Sequence, residues 1–524
     1  MLGYDILETV RASFENRSGL LQFCILASVW LSWRILKFTI IPRFYPQDPK
    51  EVPYWIPYFG HAYGFLSHPH RLLTYGRQYI AGPNREPFVI TTLGVKSYIL
   101  TNPKDVGEAY RNTESLSFDI YLQATMRTLG STESVVKRMY TPLSDTKSGF
   151  PNPQNKCLAL LSRDIHIHQL FPGENLKILG TKLSGWFDKH LVADVIAEER
   201  SYTALRGNDV VIPLMKFCSD MTTSAGQEAF FGKKLGQREP NLVRDFLEFD
   251  DISWQLLLQY PPMFCRDMLA AKDKICHALQ RHFDVPMEER ASEDTFFVRT
   301  METEMRQLGL NSEDISILMM TVYWGLNTNI RRTVFWVLAH VIYTPGLAEK
   351  LREETKQAFS NDGTLDFAYL SNNCELMDSI WHETLRTAAS AASIRFLTRD
   401  TDLNGKLLRK GNRVMIPFRQ LHYDKGAFGD DAHEFKADRF LKNPSLNRSP
   451  SLRYFGGGST MCPGRHMAKQ FITIFVSVAL HRFDLELEGP QPFPLAQEES
   501  PSLGVMASMG PDLMVRLKPR KLDI

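Results

Sequence analysis

The chain of 524 residues lacks the cysteine patterns that organise small secreted or zinc-stabilised proteins. Its seven cysteines, at positions 24, 157, 218, 265, 276, 374 and 462, form no CxxC pair. An odd count without paired spacing argues against a disulfide framework or a zinc ribbon and points to reduced thiols. An excess of charge of one sign is also missing, since 61 Lys+Arg stand against 59 Asp+Glu. Nucleic-acid binders usually carry a basic surplus, so no nucleic-acid partner is expected. Only 23% of residues are charged while 11% are aromatic, a balance that excludes a disordered chain. No GxGxxG occurs, and no linker or repeat is found beyond residue 57. A nicotinamide or flavin module is therefore not expected within this chain.

The features that are present begin at the N-terminal end. Gly19 to Trp33 reads GLLQFCILASVWLSW without a charge, and apolar residues continue to Ile41 around Arg34 and Lys37. About twenty residues cross a bilayer, so this run spans one if both cations reach for the interface. Arg34, Lys37 and Arg43 come at the end of the run, whereas residues 1–17 are mixed in charge. The positive-inside bias then puts the rest of the chain on the cytoplasmic side. A cleaved signal peptide fits poorly, because the run has no small-residue cleavage site after it; a buried core helix is the third reading. Residues 1–41 are accordingly expected to be a membrane anchor. Pro42, Pro46, Pro49, Pro53 and Pro57 predict an extended, helix-free hinge over 42–57, which leaves 58–524 as the body.

In that body, EPFVITTLGVKSYILTN (86–102) alternates and is β-branched, predicting a hairpin that turns near Gly94. Helical periodicity marks 176–198, 242–259, 266–282 and 346–360, and strand-like pieces return at 393–417 and 504–517. The fold class expected is mainly α with a minor β portion. The longest helix should run from Ser312, capped by itself or Asn311, to Tyr343, where Pro345 ends it. Its middle, Tyr323 to Asn329, sets a glycine and three hydrogen-bonding side chains in an apolar stretch. Either these are satisfied contacts at a helix crossing, or the helix opens there toward a ligand.

Glu383 and Arg386 lie three apart on one helical face, a pair that in isolation is usually a solvated ion pair. More telling is FGGGSTMCPGRHMA at 455–468. Three glycines permit close backbone approach to a flat ligand. Pro463 suits a first helical position, which would make Cys462 an N-cap, where backbone N–H groups favour thiolate. A lone cysteine is ordinarily a small buried hydrophobe; a glycine-lined thiolate beside an aromatic is what an axial haem ligand requires.

The 455–468 segment resembles the haem-binding loop of the cytochromes P450, with Phe455, Gly458, Gly464 and Ala468 at the family's positions around Cys462. Glu383 and Arg386 of the ExxR pair and Arg439 of FKADRFL keep the family's order. The resemblance covers the chain after the anchor as a single domain. It implies the P450 fold, haem b with Cys462 as axial thiolate, and structural roles for Glu383, Arg386 and Arg439. Thr460 replaces the arginine or histidine common two residues before the cysteine, and no WxxxR lies in the expected region. Arg395 thus becomes the best propionate partner, with His166 or His168 as further candidates.

By the same resemblance Asn329 takes the place of the oxygen-activating threonine and Thr328 that of an acid. WGLNTNIRRTVFW is closest to the sterol 7α-hydroxylase and prostacyclin synthase branch. What this implies is a monooxygenase acting on a bulky hydrophobic terpenoid, steroid or polyketide in a biosynthetic pathway. Electrons would come from NADPH-cytochrome P450 reductase, with cytochrome b5 as an optional second donor, at the endoplasmic reticulum membrane. An isomerase or dehydratase needing no oxygen, and a non-catalytic haem sensor or carrier, are the alternatives. Segments 115–130, 215–225, 325–329, 388–394 and 504–509 are expected to line the pocket.

Overall fold

The computed structural model describes residues 21–145, 149–257, 260–290, 292–360, 365–499 and 504–520. It is mainly helical with small sheets, as the periodicity predicts. The described residues group into two compact units. One comprises residues up to Leu116 with Phe396–Met415, and the other comprises Ser117–Arg395 with Ile416 onward.

In the first unit, one apolar helix runs from Leu21 to Phe44, long and apolar enough to cross a membrane. Phe23, Leu26 and Val29 are each more than 60% exposed, which excludes a buried core helix. Leaving such side chains in water costs about 1.5–3 kcal/mol each, whereas a bilayer would remove that cost. The helix differs from expectation in passing through Pro42. A π turn over Leu36–Ile40 precedes the proline, and such widened turns accommodate breaks in the regular hydrogen-bond ladder. Residues 1–20 of the expected anchor lie outside the described residues. Arg34 and Lys37 also depart from a simple reach toward an interface. Arg34 lies over the ring of Trp55 at 4.6 Å and donates to the Tyr54 carbonyl, while Trp30 stacks on Trp55 at 5.5 Å. Lys37 donates to the Tyr54 hydroxyl and pairs with Glu51 at 3.5 Å.

The predicted hairpin is present as strands Phe88–Thr92 and Val95–Ile99, with Thr92 opposite Val95. Its two-residue turn places Leu93 and Gly94 at positive φ, the arrangement whose twist matches that of the strands. Lys50–Glu51 adds in parallel beside Phe88, and Arg413–Met415 adds in parallel beside Ser97–Ile99.

The second unit is built on α1 (Asp119–Leu129), α2 (Leu214–Phe231), α3 (Leu242–Ile252), α4 (Arg266–Asp284), α5 (Ser312–Tyr343), α6 (Glu375–Ala388) and α7 (Arg465–Arg482). Helix α5 has the predicted bounds. Asn311 and Asp314 form a reciprocal capping box at its start, satisfying donors that a helix end leaves open. At 1.5 Å per residue its 32 residues extend roughly 48 Å. It packs against α2, α4, α6 and α7, and residues such as Met319, Tyr323, Val334 and Phe335 are buried in the principal core. Asp209–Pro213, Met514–Pro519 and Phe483–Leu487 pair antiparallel in a separate sheet. A helix this long, held on several sides, can present one short stretch to a cavity without deforming elsewhere.

Candidate active site

The loop before α7 forms one wall of a cavity of about 320 Å³. Gly456 and Gly458 have φ of +76° and +59°, a region that residues with a Cβ rarely adopt. This lets the backbone turn under Cys462, whose N–H donates to the Phe455 carbonyl at 2.9 Å. Phe455, Gly456, Thr460, Cys462, Gly464 and Ala468 all line the cavity, whereas Gly458 does not. The expected N-cap is displaced, because α7 starts at Arg465 with Gly464 as its cap. The first helical bond runs from Ala468 N–H to the Gly464 carbonyl at 2.8 Å, so Cys462 sits two residues ahead of the cap. Burial pushes its thiol up, while the Gly464 N–H and the Arg465 charge act in the opposite sense. Desolvation therefore outweighs the helix end. A cation bound at Sγ would reverse that balance, since metal-coordinated thiols are deprotonated.

Helix α5 forms the facing wall, with Gly325, Asn329 and Thr333 turned to the cavity at four-residue spacing. Leu326 and Ile330 fill the positions beside them. Asn327 and Thr328 do not line the cavity. Asn327 donates to the Tyr323 carbonyl, and Thr328 donates to Asp250 Oδ1 at 2.7 Å and to the Trp324 carbonyl. Satisfied contacts thus account for Asn327 and Thr328 on one face, whereas Gly325 and Asn329 face the cavity from a helix that stays regular through this stretch and does not open. Asn329 Oδ1 accepts from Val505 N–H at 2.9 Å. A Cβ on Gly504 would lie 1.8 Å from that oxygen, so the close approach requires glycine.

Arg395 is the charged side chain among the described lining residues. Its guanidinium donates to Thr460 Oγ1 and to Ser393 Oγ, and lies 4.8 Å over the Phe118 ring. Thr460, two residues before the cysteine, accepts from Arg395 and is not itself a base. His166 and His168 pack on Phe297 and Phe296 and do not reach the cavity. Of the expected lining segments, 115–130 contributes Phe118 and Tyr121, 504–509 contributes Gly504 and Val505, and 215–225 contributes none. The last lies on α2, where Met221, Thr222 and Ala225 are buried in the helix packing.

Beneath the cysteine loop, Glu383, Arg386 and Arg439 converge. Glu383 accepts two bonds from Arg386 at 2.8 Å and one from Arg439 at 2.9 Å. Glu383 and Arg386 are wholly buried, unlike the solvated pair that the spacing alone suggests. The remaining arginine donors meet carbonyls of His422, Glu434, Phe428 and Asp431. His422 in turn accepts from Arg453 N–H at 3.1 Å, which links this cluster to the segment leading into the loop. Burial, helped by the Arg386 charge, depresses His422 to about 3. The folded protein thus keeps this imidazole neutral where the unfolded chain would protonate it. Its contribution to stability is full above about pH 6.5 and is lost as pH falls toward about 3, at roughly 1.4 kcal/mol per pH unit. Urea midpoints measured between about pH 6 and pH 4 should fall less steeply for His422→Gln than for the parent; equal slopes would contradict this.

Sequence reasoning did not find Asp250. This buried carboxylate accepts from Thr328, Trp324, Arg331 and Arg332 at once. The neighbouring arginines hold it below the usual carboxylate range despite its burial. Two adjacent arginines inside an apolar helix were the available signal, because such charges need a buried counter-ion.

The family profile described as Cytochrome P450 matches residues 196–511. Cytochrome P450 monooxygenase poxD of Penicillium oxalicum is 24% identical over 87% of this chain and 90% of its own. Cytochrome P450 7B1 of Mus musculus is 23% identical over 93% and 94%. Cholesterol 7-alpha-monooxygenase of Cricetulus griseus is 25% identical over 58% and 66%.

Proposed function

This chain belongs to the cytochrome P450 family as a monooxygenase, and from that premise we propose that it oxidises a bulky apolar terpenoid, steroid or polyketide. The observation that carries this reading is the cavity lining. Leu326, Ile330, Ala389, Ala391, Ala392 and Val505 are apolar, and Arg395, hydrogen-bonded to Thr460, is the charged residue among the described lining residues. Small alanines leave width for a rigid scaffold, and the scarcity of charge would leave a polar substrate's groups unsatisfied. A relative named cholesterol 7-alpha-monooxygenase supports the sterol end of that range.

The residues present fit haem. Cys462 lines the same cavity as Gly325, Asn329 and Thr333 of α5, Gly456 and Gly464 leave the lining near it free of side chains, and Arg395 supplies the charged group among the described lining residues. Cys462 would hold the iron, and Arg395 with Thr460 would meet an acidic substituent of the ring. Bound in this way, haem supplies the oxygen chemistry that inserts an oxygen atom into a substrate carbon. The chain's own residues set what reaches it. Leu326 and Ile330 exclude water and press the substrate from the α5 side, while Ala389, Ala391 and Ala392 leave it room. Asn329, whose amide oxygen is engaged by Val505, offers hydrogen-bond donors at Nδ2 where most of the family offers a hydroxyl. Electrons come from a separate NADPH-dependent reductase, and the Leu21–Phe44 helix keeps the protein on the endoplasmic reticulum membrane.

The test uses full-length protein in microsomes with reductase and NADPH, presented with triterpenoid, steroid and polyketide panels. At least one apolar scaffold should shift the spin state and gain one oxygen by mass. Shifts confined to small polar or charged molecules would overturn the proposed substrate class.

A further inference from the structure

Three side chains of α5, Asn329, Arg332 and Trp336, recur at the spacing that places them on one helical face. All three hold the segment Gly504–Met506. Val505 N–H donates to Asn329 Oδ1 at 2.9 Å, Arg332 donates to the Val505 carbonyl at 3.3 Å, and Trp336 Nε1 donates to the Met506 carbonyl at 2.8 Å. On its other edge the segment is tied to the end of α6. Ser390 N–H donates to the Gly504 carbonyl, and Met506 N–H donates to the Ala388 carbonyl, both at 2.9 Å. Only an oxygen can accept from the Val505 N–H, so this bond determines which end of the Asn329 amide faces the segment. Arg332 is itself placed by Asp250, a carboxylate on α3 with no exposed side-chain surface, to which it donates at 3.0 Å.

We infer that Arg332, anchored by Asp250, is a positioning residue for Asn329: by gripping the Val505 carbonyl it fixes the N–H that takes Asn329 Oδ1, and so presents Nδ2 to a ligand in the cavity. This rests on the haem-thiolate reading of the site. An asparagine whose amide could turn over would offer an acceptor as readily as a donor. The latch removes that choice, with Arg332 and Asp250 acting on it from outside the cavity lining. Asp250 thereby acts on the site from a helix that the expected motif does not include.

The experiment uses the full-length protein reduced under carbon monoxide. The thiolate-type absorption band is recorded first and the infrared C–O stretch second. Absence of the thiolate band in the parent protein would defeat the haem-thiolate reading, independently of the latch. With that band present, a donor pointing at bound carbon monoxide lowers the stretch. Asn329→Leu should therefore raise the stretch, and Arg332→Met should raise or broaden it in the same direction. The double variant should show no further shift beyond Asn329→Leu. Glu302→Gln, which disturbs the separate buried cluster with Arg290 and Arg306, should leave the stretch where it is and so controls for lost stability. An unchanged stretch in Arg332→Met, or a shift that persists in full on the Asn329→Leu background, would overturn the inference. If Arg332→Met does not fold, Asp250→Asn is read in its place. It keeps the shape, weakens the anchor, and should broaden the stretch, whereas an unaltered band would again overturn it.

Discussion

Full-length Cys462→Ala is expected to lose the thiolate-type reduced-CO band entirely, together with all monooxygenase turnover. Alanine removes the sulfur and keeps the loop, because the bonds that shape it belong to the backbone. The Cys462 N–H still reaches the Phe455 carbonyl, and the carbonyl of residue 462 still accepts from Arg465 at 3.1 Å. The folded state should therefore survive with a thermal midpoint close to that of the parent apoprotein. Cys462→Ser asks a finer question, since a hydroxyl can ligate weakly but is a poor electron donor. Any haem it retains should show a band displaced from the thiolate position. A variant lacking the sulfur yet keeping the thiolate band would sink the assignment, because the other cysteines among the described residues lie outside the cavity lining.

A second large effect is expected at Glu383. Replacing it by alanine leaves the Arg386 and Arg439 guanidiniums in the core without their shared carboxylate. Removing one partner from a buried pair costs about 3–5 kcal/mol, against a total stability of about 5–15 kcal/mol. Glu383→Ala should thus express poorly, unfold at markedly lower urea and carry little haem. Arg386→Lys should be nearly as damaging despite keeping its charge. An ammonium cannot make the paired bonds to Glu383 while also reaching the His422 and Glu434 carbonyls. Urea unfolding with haem content read in parallel separates the two aspects. Variants within about 1 kcal/mol of the parent would mean that the cluster is ornamental to the fold.

These effects depend on residues that the sequence exposed unequally. The loop at 455–468 was legible because its chemistry is local, with glycines, a cysteine and a helix start adjacent in the chain. Helix α5 was legible to its ends, since a capping asparagine and a terminating proline act over only a few residues. The burial of Glu383 and Arg386 was not readable from their spacing, because the same spacing serves solvated pairs on any exposed helix. Thr328 shows the limit most clearly. It stands beside Asn329 in sequence, yet one step along a helix turns a side chain by about 100 degrees, and Thr328 faces Asp250 instead of the cavity. Asp250 itself lies 78 positions away from Thr328, and no periodicity carries information over such a separation. The N-cap was missed for a different reason: Pro463 is compatible with a first helical turn, but Gly464 closes the first bond.

The joint between the apolar N-terminal helix and residues 51–55 has a mechanical consequence. Trp30 stacked on Trp55, with Arg34 and Lys37 fastened to Tyr54 and Glu51, forms a splint across the proline-bearing bend between them. A splinted bend passes on torque where a loose one would dissipate it. Since Lys50–Glu51 is hydrogen-bonded into the strand beginning at Phe88, any tilt of the helix is handed directly to that sheet. The helix is therefore a rudder for this unit and not merely its mooring line.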